Sequence, residues 1–348
     1  MKVRTKTFCR LVATIACGVS IMLTSGAASA ADLVVAAFGG VWEQSLRQCI
    51  VAPFEQKTGK KVDIVLGAPA QSLNQIAANP SKPPIDIAFL PSDSAFEAIR
   101  RGLIERMDSN KAPHVKEIPA RFSDPNDGYG VVMNYGAMGV IYNSKTIPNP
   151  PKTWKDFTEG TVAGQWKASI PSVNYPAGGL LPIWMYTTLY GGNINDISPG
   201  LAQIKRMVAS GNLMLWTDPN QVLNALKSGE IDIAMYWDGR AWAFIDPENK
   251  DFKYYTPEPG GAAALTHIQK VKGSAEIGWD FIDIALSAGP QACFANRIRY
   301  GVTNKNVVYD PKIKPQITDL SLLLIPPYKE FASFQSKWVE QWNKEIGR

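Results

Sequence analysis

The sequence predicts an α/β fold of two lobes built around mostly parallel sheets. Short apolar segments rich in β-branched residues alternate with amphipathic helical segments, the order in which a parallel sheet is buried between helices. Residues 31–348 exceed what one hydrophobic core usually organises, so two domains are expected. The segments Ile85–Leu90 and Ile231–Tyr236 both begin Ile-Asp-Ile-Ala and both end beside a polar turn. The second half of the chain therefore echoes a strand of the first.

Residues 1–30 have the composition of an export signal. Four basic residues open the chain, an apolar run spans 11–23, and Ala28-Ser29-Ala30 places small residues just before Ala31. The apolar run is shorter than the roughly 20 residues that span a bilayer, which argues against a membrane anchor. These parts predict a signal peptide cleaved after Ala30 and a soluble exported protein.

The first half of the exported region reads as three strands, each followed by a helix. Gly59 and Gly102 are typical of helix ends, and Pro53 is a candidate kink in the first helix. The predicted strands are 33–38, 62–66 and 85–90, and the predicted helices are 42–57, 71–78 and 92–101.

The second half repeats this alternation after a long apolar segment, 131–142, and a proline-rich break at 148–151. Asp218-Pro219 is typical of a helix start and Gly229 of a helix end. The last helix has an aromatic stripe, Phe331 to Ile346, more typical of a core than of a ligand site. The other predicted strands are 168–171, 231–236 and 265–270, and the other predicted helices begin at 154 or span 179–190, 219–228 and 275–287.

Composition and motifs argue against several classes of function. Removing the four basic residues of 1–30 lowers the formal net charge from +5 to +1, so neither nucleic acid nor an anionic membrane is an expected partner. The two histidines, His114 and His267, lack metal-ligand spacing around them. The chain has no Gly-x-Ser-x-Gly elbow, no Gly-x-Gly-x-x-Gly motif and no phosphate-binding loop. We therefore expect no catalytic residues, no metal and no cofactor.

Two cysteines remain beyond residue 30, in a compartment that permits disulfides. Cys49 and Cys293 form either one bridge or two buried free thiols, and the sequence leaves both states open.

Loops with polar, charged or aromatic residues follow four of the predicted strands. They lie at the carboxyl ends of these strands, where ligands bind in open parallel sheets. The first offers backbone N–H groups beside an aromatic wall, the second a hydroxyl and a carboxylate, and the fourth an indole, a carboxylate and a guanidinium. Asp93 could instead cap a helix, and Asp238 with Arg240 could form an internal ion pair. The candidate ligand contacts are Phe38, Gly40, Trp42, Ser92, Asp93, Tyr175, Trp237, Asp238 and Arg240.

Short motifs in a characteristic order run along nearly the whole exported region. They are Phe38-Gly39-Gly40-x-Trp42-Glu43, Phe54-Glu55-x-x-Thr58-Gly59-Lys60-x-Val62, Ile85-Asp86-Ile87-Ala88 with Pro91-Ser92, Gly102-Leu103, Gly139-Val140-x-Tyr142-Asn143, Pro151-Lys152-Thr153-Trp154, Gly229-Glu230, Trp237-Asp238-Gly239, Pro257-Glu258-x-Gly260-Gly261 and Trp342. In this order the chain resembles the extracytoplasmic solute-binding proteins of ABC importers, the type II periplasmic binding protein superfamily. The resemblance is greatest to the spermidine/putrescine-binding branch.

The resemblance implies two Rossmann-like lobes with mixed, mostly parallel sheets, joined by hinge crossovers and closing over a ligand. Lobe 1 would comprise residues 31–139 with 259–303. Lobe 2 would comprise 140–258 with 304–348, including the C-terminal helix. The resemblance also implies a periplasmic monomer that delivers its ligand to the transmembrane subunits of an ABC permease and catalyses no reaction.

The charges of the loops favour a small amine-bearing solute. Trp237 can pack on a cation and Asp238 can accept a hydrogen bond from an amine. Binders of polyamines are expected to offer several carboxylates, whereas Ser172–Leu181 has no acidic residue and Arg240 adds a positive charge. Putrescine or spermidine remains a candidate, and a smaller amine or an ω-amino acid is favoured.

Two other classes of function stay open. The same scaffold could bind a carboxylate, a phosphonate or ferric iron. Iron could use the phenolates of Tyr254 and Tyr255, although neighbours on a strand point to opposite faces. A secreted α/β hydrolase is the remote alternative, because a Ser-His-Asp triad is recognised by geometry and not by sequence position.

Overall fold

A computed structural model describes residues 31–176, 178–245 and 248–347. The predicted signal peptide lies outside the described residues. The strands are β1 Leu33–Ala37, β2 Val62–Leu66, β3 Ile87–Pro91, β4 Val131–Asn143, β5 Ala168–Pro171, β6 Leu213–Trp216, β7 Ile233–Trp237, β8 Phe252–Tyr255, β9 Gly261–Lys270, β10 Gly301–Val302 and β11 Leu323–Leu324.

Helices cover both halves of the chain between these strands. They are α1 Val41–Leu46, α2 Ala52–Thr58, α3 Pro69–Ala78, α4 Ser92–Arg100, α5 Ala120–Ser123, α6 Trp154–Val162, α7 Leu180–Leu189, α8 Ser198–Ala209, α9 Pro219–Ser228, α10 Asp238–Ile245, α11 Gly278–Leu286, α12 Ala288–Ile298 and α13 Tyr328–Glu345. Short 3₁₀ turns occupy Pro113–Glu117, Asp124–Asn126, Lys314–Gln316 and Leu320–Leu322.

The described strands form a mixed sheet in the order β2-β1-β3-β9-β4-β7-β5-β6. At one end β1 pairs parallel with β2 and β3, and at the other β5 pairs parallel with β6 and β7. Between these groups, β9 and β4 run antiparallel to their neighbours. The predicted α/β class with mixed, mostly parallel sheets is confirmed.

Strand β4 exchanges partners halfway along its length. Its residues up to Ala137 pair with β9, and from Met138 onward it pairs with β7. The 13-residue strand therefore links β9, which pairs with β3 of the first parallel group, to β7 of the second, as expected of a crossover. The predicted lobe boundaries remain a prediction.

Local sequence signals account for several element ends. Thr153 and Asp156 form a capping box at the start of α6, each side chain accepting from the other's backbone N–H at 3.0 Å. Asp218 caps α9 by accepting from Asn220 N at 2.9 Å, as predicted. At Pro53 the predicted kink takes the form of a π-helical turn, Arg47–Val51, between α1 and α2. Proline lacks an N–H and crowds the preceding turn, so the wider turn relieves that clash.

The repeated Ile-Asp-Ile-Ala segments share a structural role. Asp86 accepts from the backbone N–H of Val34 at 2.7 Å, and Asp232 accepts from that of Lys167 at 2.9 Å. Each aspartate thus fastens the start of its strand to the parallel neighbour on the same sheet. The repeat is therefore explained by sheet geometry and not by ligand binding.

Several elements escaped sequence analysis, namely the helices α5, α8, α10 and α12 and the strands β6, β10 and β11. The strand β6 has only four residues, too few for a clear alternation of apolar and polar positions. The helix α10 follows β7 without an intervening loop, so Asp238–Arg240 reads as a turn although it is the first turn of a helix.

Two further observations complete the fold. A disulfide joins Cys49 in the π-helical turn to Cys293 in α12, with the two Cα atoms 5.6 Å apart. Among the described residues, none of the helices has the length and apolar character needed to cross a membrane.

Candidate ligand-binding cleft

The carboxyl ends of β1, β3, β5 and β7 meet at a cleft of about 800 Å³. This volume lies within the usual range for small-molecule sites. Eight of the nine predicted contacts line it: Phe38, Gly40, Trp42, Ser92, Asp93, Tyr175, Trp237 and Arg240. The cavity in the structure therefore lies where the sequence analysis expected it, beyond the carboxyl ends of the parallel strands.

Aromatic side chains form two walls of the cleft. On one side the rings of Phe38 and Trp42 pack edge to face with centroids 5.2 Å apart. On the other, the indole Nε1 of Trp237 donates to the hydroxyl of Tyr175 at 3.0 Å, which fixes both rings. Gly178, at φ 138°, lies where a Cβ would come 3.0 Å from the Trp237 ring. Glycine at this position therefore lets the third loop approach the indole.

Gly40 is required by the conformation of the first loop. It adopts φ 72° and ψ −140° immediately before α1, a region that side chains other than hydrogen rarely enter. This conformation turns the chain from β1 into α1.

Two charged side chains of opposite sign line the cleft. Asp93 lies at the start of α4 and Arg240 in the first turn of α10. Neither has an ion-pair partner among the described residues. Asp93 accepts from the backbone N–H of Ser94 at 2.7 Å and also from the Ser94 side chain, and its burial raises its pKa. Burial of an incompletely paired carboxylate is costly, so the site favours an incoming cation.

Ser92, next to Asp93, is paired with a buried histidine that lies outside the predicted site. The Ser92 Oγ and the His267 Nε2 are 2.8 Å apart. The ring of His267 is fully buried, meets Phe96 edge to face, and has no partner for Nδ1 among the described residues. Burial lowers the pKa of His267 to about 3, so the ring is neutral at physiological pH.

The structure does not place Asp238 in the cleft lining, where a ligand contact is expected. Its carboxylate is fully buried and accepts from the backbone N–H of Ala137 at 2.9 Å, that of Gly239 at 2.8 Å, and the Thr318 hydroxyl at 2.6 Å. These donors hold it against β4, away from the cleft lining. Nor does Asp238 form an ion pair with Arg240, the other sequence alternative. Burial raises its pKa to about 7.

The sequence analysis missed a wall contributed by the C-terminal helix α13. Phe331, Gln335 and Val339 from this helix line the cleft, as does Tyr300 after α12. The helical spacing of the aromatic stripe in α13 predicts burial in the core. Phe331 is buried, as this predicts, and it also faces the cavity. Two faces of one helix cannot be separated by periodicity when both are apolar.

The geometry does not favour a hydrolase or an iron-binding site. In a catalytic Ser-His pair a third group orients the histidine, and the ring takes up the serine proton. The Nδ1 of His267 has no orienting partner among the described residues, and burial lowers its pKa to about 3, which disfavours proton uptake. Tyr254 donates to the carbonyl of Ala137 and Tyr255 to that of Pro151, so each hydroxyl already has its own partner, and burial raises both phenol pKa values. Within the described residues, no group of three or more His, Cys, Asp or Glu side chains could hold a metal ion.

Replacing Trp237 by alanine should weaken ligand binding. Its indole forms the cleft wall, and a desolvated cation–π contact is worth about 1–2 kcal/mol. Calorimetry on the folded variant, together with the ligand-induced change in tryptophan fluorescence of the wild type, checks this. Trp338→Phe, in a buried tryptophan outside the cleft lining, is the matched control and should bind normally. Unchanged affinity in Trp237→Ala would place the ligand elsewhere.

His267 should make stability depend on pH in a defined direction. The unfolded histidine titrates near its ordinary pKa of 6.5, whereas burial lowers the pKa of the folded ring to about 3. Its contribution is therefore complete above pH 6.5 and is lost as pH falls toward 3, by about 1.4 kcal/mol per pH unit. Urea unfolding of wild type and His267→Gln should show that the wild type loses stability faster with falling pH. A difference between them that does not vary with pH would contradict the buried neutral ring.

Comparison with known proteins places these features in a family. Residues 50–319 match the family model for bacterial extracellular solute-binding proteins. The chain is 25% identical over 304 residues to a thiamine-binding periplasmic protein of Brucella melitensis, covering 83% of this chain and 84% of the relative.

Solved structures share the fold over nearly the whole chain. A candidate extracellular solute-binding protein from Bordetella parapertussis has a TM-score of 0.81 at 26% identity, covering 90% of this chain and 98% of that one. A GABA receptor has a TM-score of 0.74 at 20% identity, covering 89% and 96%. Because the family model spans well over half of the chain, this chain belongs to the bacterial extracellular solute-binding proteins.

Proposed function

We propose that the protein captures a small amine-bearing solute that also carries an anionic group, and passes it to the permease of an ABC importer. The observation that carries this proposal is the pair of opposite charges, Asp93 and Arg240, in one cleft without ion-pair partners among the described residues. A zwitterion such as an ω-amino acid would supply both missing partners.

The electrostatic argument favours a zwitterion over a polycation or a dianion. A second ammonium would lie near Arg240 and a second carboxylate near Asp93, and like charges in a partly desolvated cleft repel strongly. A zwitterion meets one carboxylate and one guanidinium, and guanidinium binds carboxylate through paired hydrogen bonds. Putrescine and spermidine are thus weaker candidates than an amino acid of similar length.

The aromatic walls support an organic cation at the amine end. Tryptophan and tyrosine faces attract ammonium groups and also cover the apolar chain that joins the two charged ends. Two similar proteins are named for solutes that carry a cationic nitrogen, thiamine and GABA, and of these GABA also carries a carboxylate. The two names support a cationic group in the solute without selecting a member of the class.

Delivery requires that the cleft open and close. We propose the lobes predicted from the sequence, 31–139 with 259–303 and 140–258 with 304–348, as the moving bodies. The partner exchange of β4 at Ala137–Met138 supports a boundary there. Export to the periplasm by the signal in residues 1–30, action as a monomer and the absence of catalysis belong to the same proposal.

Three probes with a four-carbon backbone test the charge requirement. Putrescine carries two ammonium groups, succinate two carboxylates and 4-aminobutyrate one of each. Calorimetry should show the tightest binding for 4-aminobutyrate. Tightest binding of succinate would favour an anion transporter, and tightest binding of putrescine would restore the polyamine hypothesis.

A further inference from the structure

We propose that His267 is a positioning residue that holds the Ser92 hydroxyl as a hydrogen-bond donor toward the ligand. The ligand end that meets Asp93 then carries an acceptor atom beside its amine. The second part rests on the proposed function, whereas the role of His267 can be tested without any ligand.

The starting observation is a buried contact in the cleft wall. The Ser92 Oγ lies 2.8 Å from the His267 Nε2. Among the described residues, His267 is the hydrogen-bond partner of the Ser92 hydroxyl. Register between β3 and β9 places His267 opposite Leu90, two residues before Ser92. The backbone of the sheet therefore fixes the ring beside the hydroxyl.

The unpartnered Nδ1 decides which atom donates. A neutral ring has one N–H and one bare nitrogen. If Nδ1 carried the proton, a buried N–H would have no acceptor among the described residues. Orphaned buried N–H groups are rarer in proteins than under-satisfied acceptors. The favoured tautomer therefore has its proton on Nε2, which donates to Ser92 Oγ and leaves Nδ1 bare.

This tautomer sets the role of Ser92. Its oxygen accepts from His267, so its own proton is left for another acceptor, and Ser92 lines the cleft. The neighbouring Asp93 carboxylate can only accept. The two adjacent side chains thus offer one donor and one acceptor to the same end of the ligand.

A bare alkylammonium does not match this pattern, because it has donors only. An ammonium with a carbonyl or carboxylate on the adjacent carbon matches it, as does a ring nitrogen beside an exocyclic amine. The site is thereby assigned to solutes whose amine end also accepts a hydrogen bond, and a plain ω-amine would bind less well.

The tautomer can be read directly by NMR on the wild-type protein labelled with ¹⁵N-histidine. The chain has two histidines, so His114→Gln assigns the spectrum. Long-range ¹H–¹⁵N correlations should show the His267 proton on Nε2 at neutral pH. A proton on Nδ1, or on both nitrogens, would overturn the proposal.

Binding is tested with two probes that share a carboxylate tail. Isoglutamine is 4-aminobutyrate with a carboxamide beside its ammonium, so it adds a neutral acceptor. Wild type should bind isoglutamine more tightly. Ser92→Ala should weaken isoglutamine about tenfold, the value of one hydrogen bond, and 4-aminobutyrate less than twofold.

Variants of His267 separate positioning from packing. His267→Gln keeps an N–H donor and should retain the preference for isoglutamine, whereas His267→Leu should lose it. Equal effects of Ser92→Ala on both probes, or no effect on isoglutamine, would overturn the acceptor assignment. If neither probe binds while Nε2 carries the proton, the proposed amine class fails and the tautomer stands.

Discussion

Replacing Asp93 by asparagine is expected to weaken binding of an amine-bearing solute by about 2–5 kcal/mol. Asp93 supplies a carboxylate to the cleft lining, and its hydrogen bonds come from neighbouring groups of α4 and not from a cation. Asparagine keeps the size of the side chain but removes the charge that an ammonium requires. Calorimetry with 4-aminobutyrate, or with whatever solute co-purifies, measures the loss.

Two matched aspartates serve as controls for this result. Asp63→Asn, exposed on β2, should leave affinity and stability unchanged. Asp238→Asn should lower stability. The amide NH₂ would replace one of the two carboxylate oxygens that accept from Ala137, Gly239 and Thr318, so at least one buried donor would lose its acceptor. Loss of binding in Asp238→Asn with normal binding in Asp93→Asn would return the ligand-contact role to Asp238.

Removing the disulfide should give the largest change in stability. The bridge between Cys49 and Cys293 closes a loop spanning a sequence separation of 244 residues, and loss of such a bridge typically costs about 2–5 kcal/mol. The double variant Cys49→Ser, Cys293→Ser should therefore melt at a lower temperature. Both cysteines fall in predicted lobe 1, so the affinity for ligand should be nearly unchanged.

Thermal unfolding and calorimetry of this double variant check both parts. Reduction of the wild type by dithiothreitol should reproduce the lower melting temperature. Two free thiols in the unreduced, denatured wild type would contradict the bridge. A large loss of affinity would mean that the bridge restrains the cleft and that the assignment of 259–303 to lobe 1 is mistaken.

The sequence predicted what depends on local pattern. Strand and helix alternation follows from short-range periodicity, and the cleft follows from the rule on carboxyl ends of parallel strands. The orientation of Asp238 could not be predicted in this way. Its carboxylate is turned by donors at Ala137 and Thr318, both about 80 or more positions away in the chain. The partner of Ser92 was hidden for the same reason, since His267 is 175 positions away.

The contribution of α13 shows a second limit. An aromatic stripe at helical spacing indicates burial but not what covers it. Here Phe331 faces the cleft, whereas Trp338 donates its Nε1 to the carbonyl of Ile194 at 3.2 Å. Long-range packing decides which turn of the helix borders a ligand.

The central claim is that the cleft binds a zwitterionic amine, and identification of the bound solute tests it most directly. The protein should be purified from its native host without unfolding and then denatured, and the released small molecules should be identified by mass spectrometry. The account predicts one solute that carries both a basic nitrogen and an acidic group, released by wild type and absent from Asp93→Asn. A solute without nitrogen, or ferric iron, would contradict it.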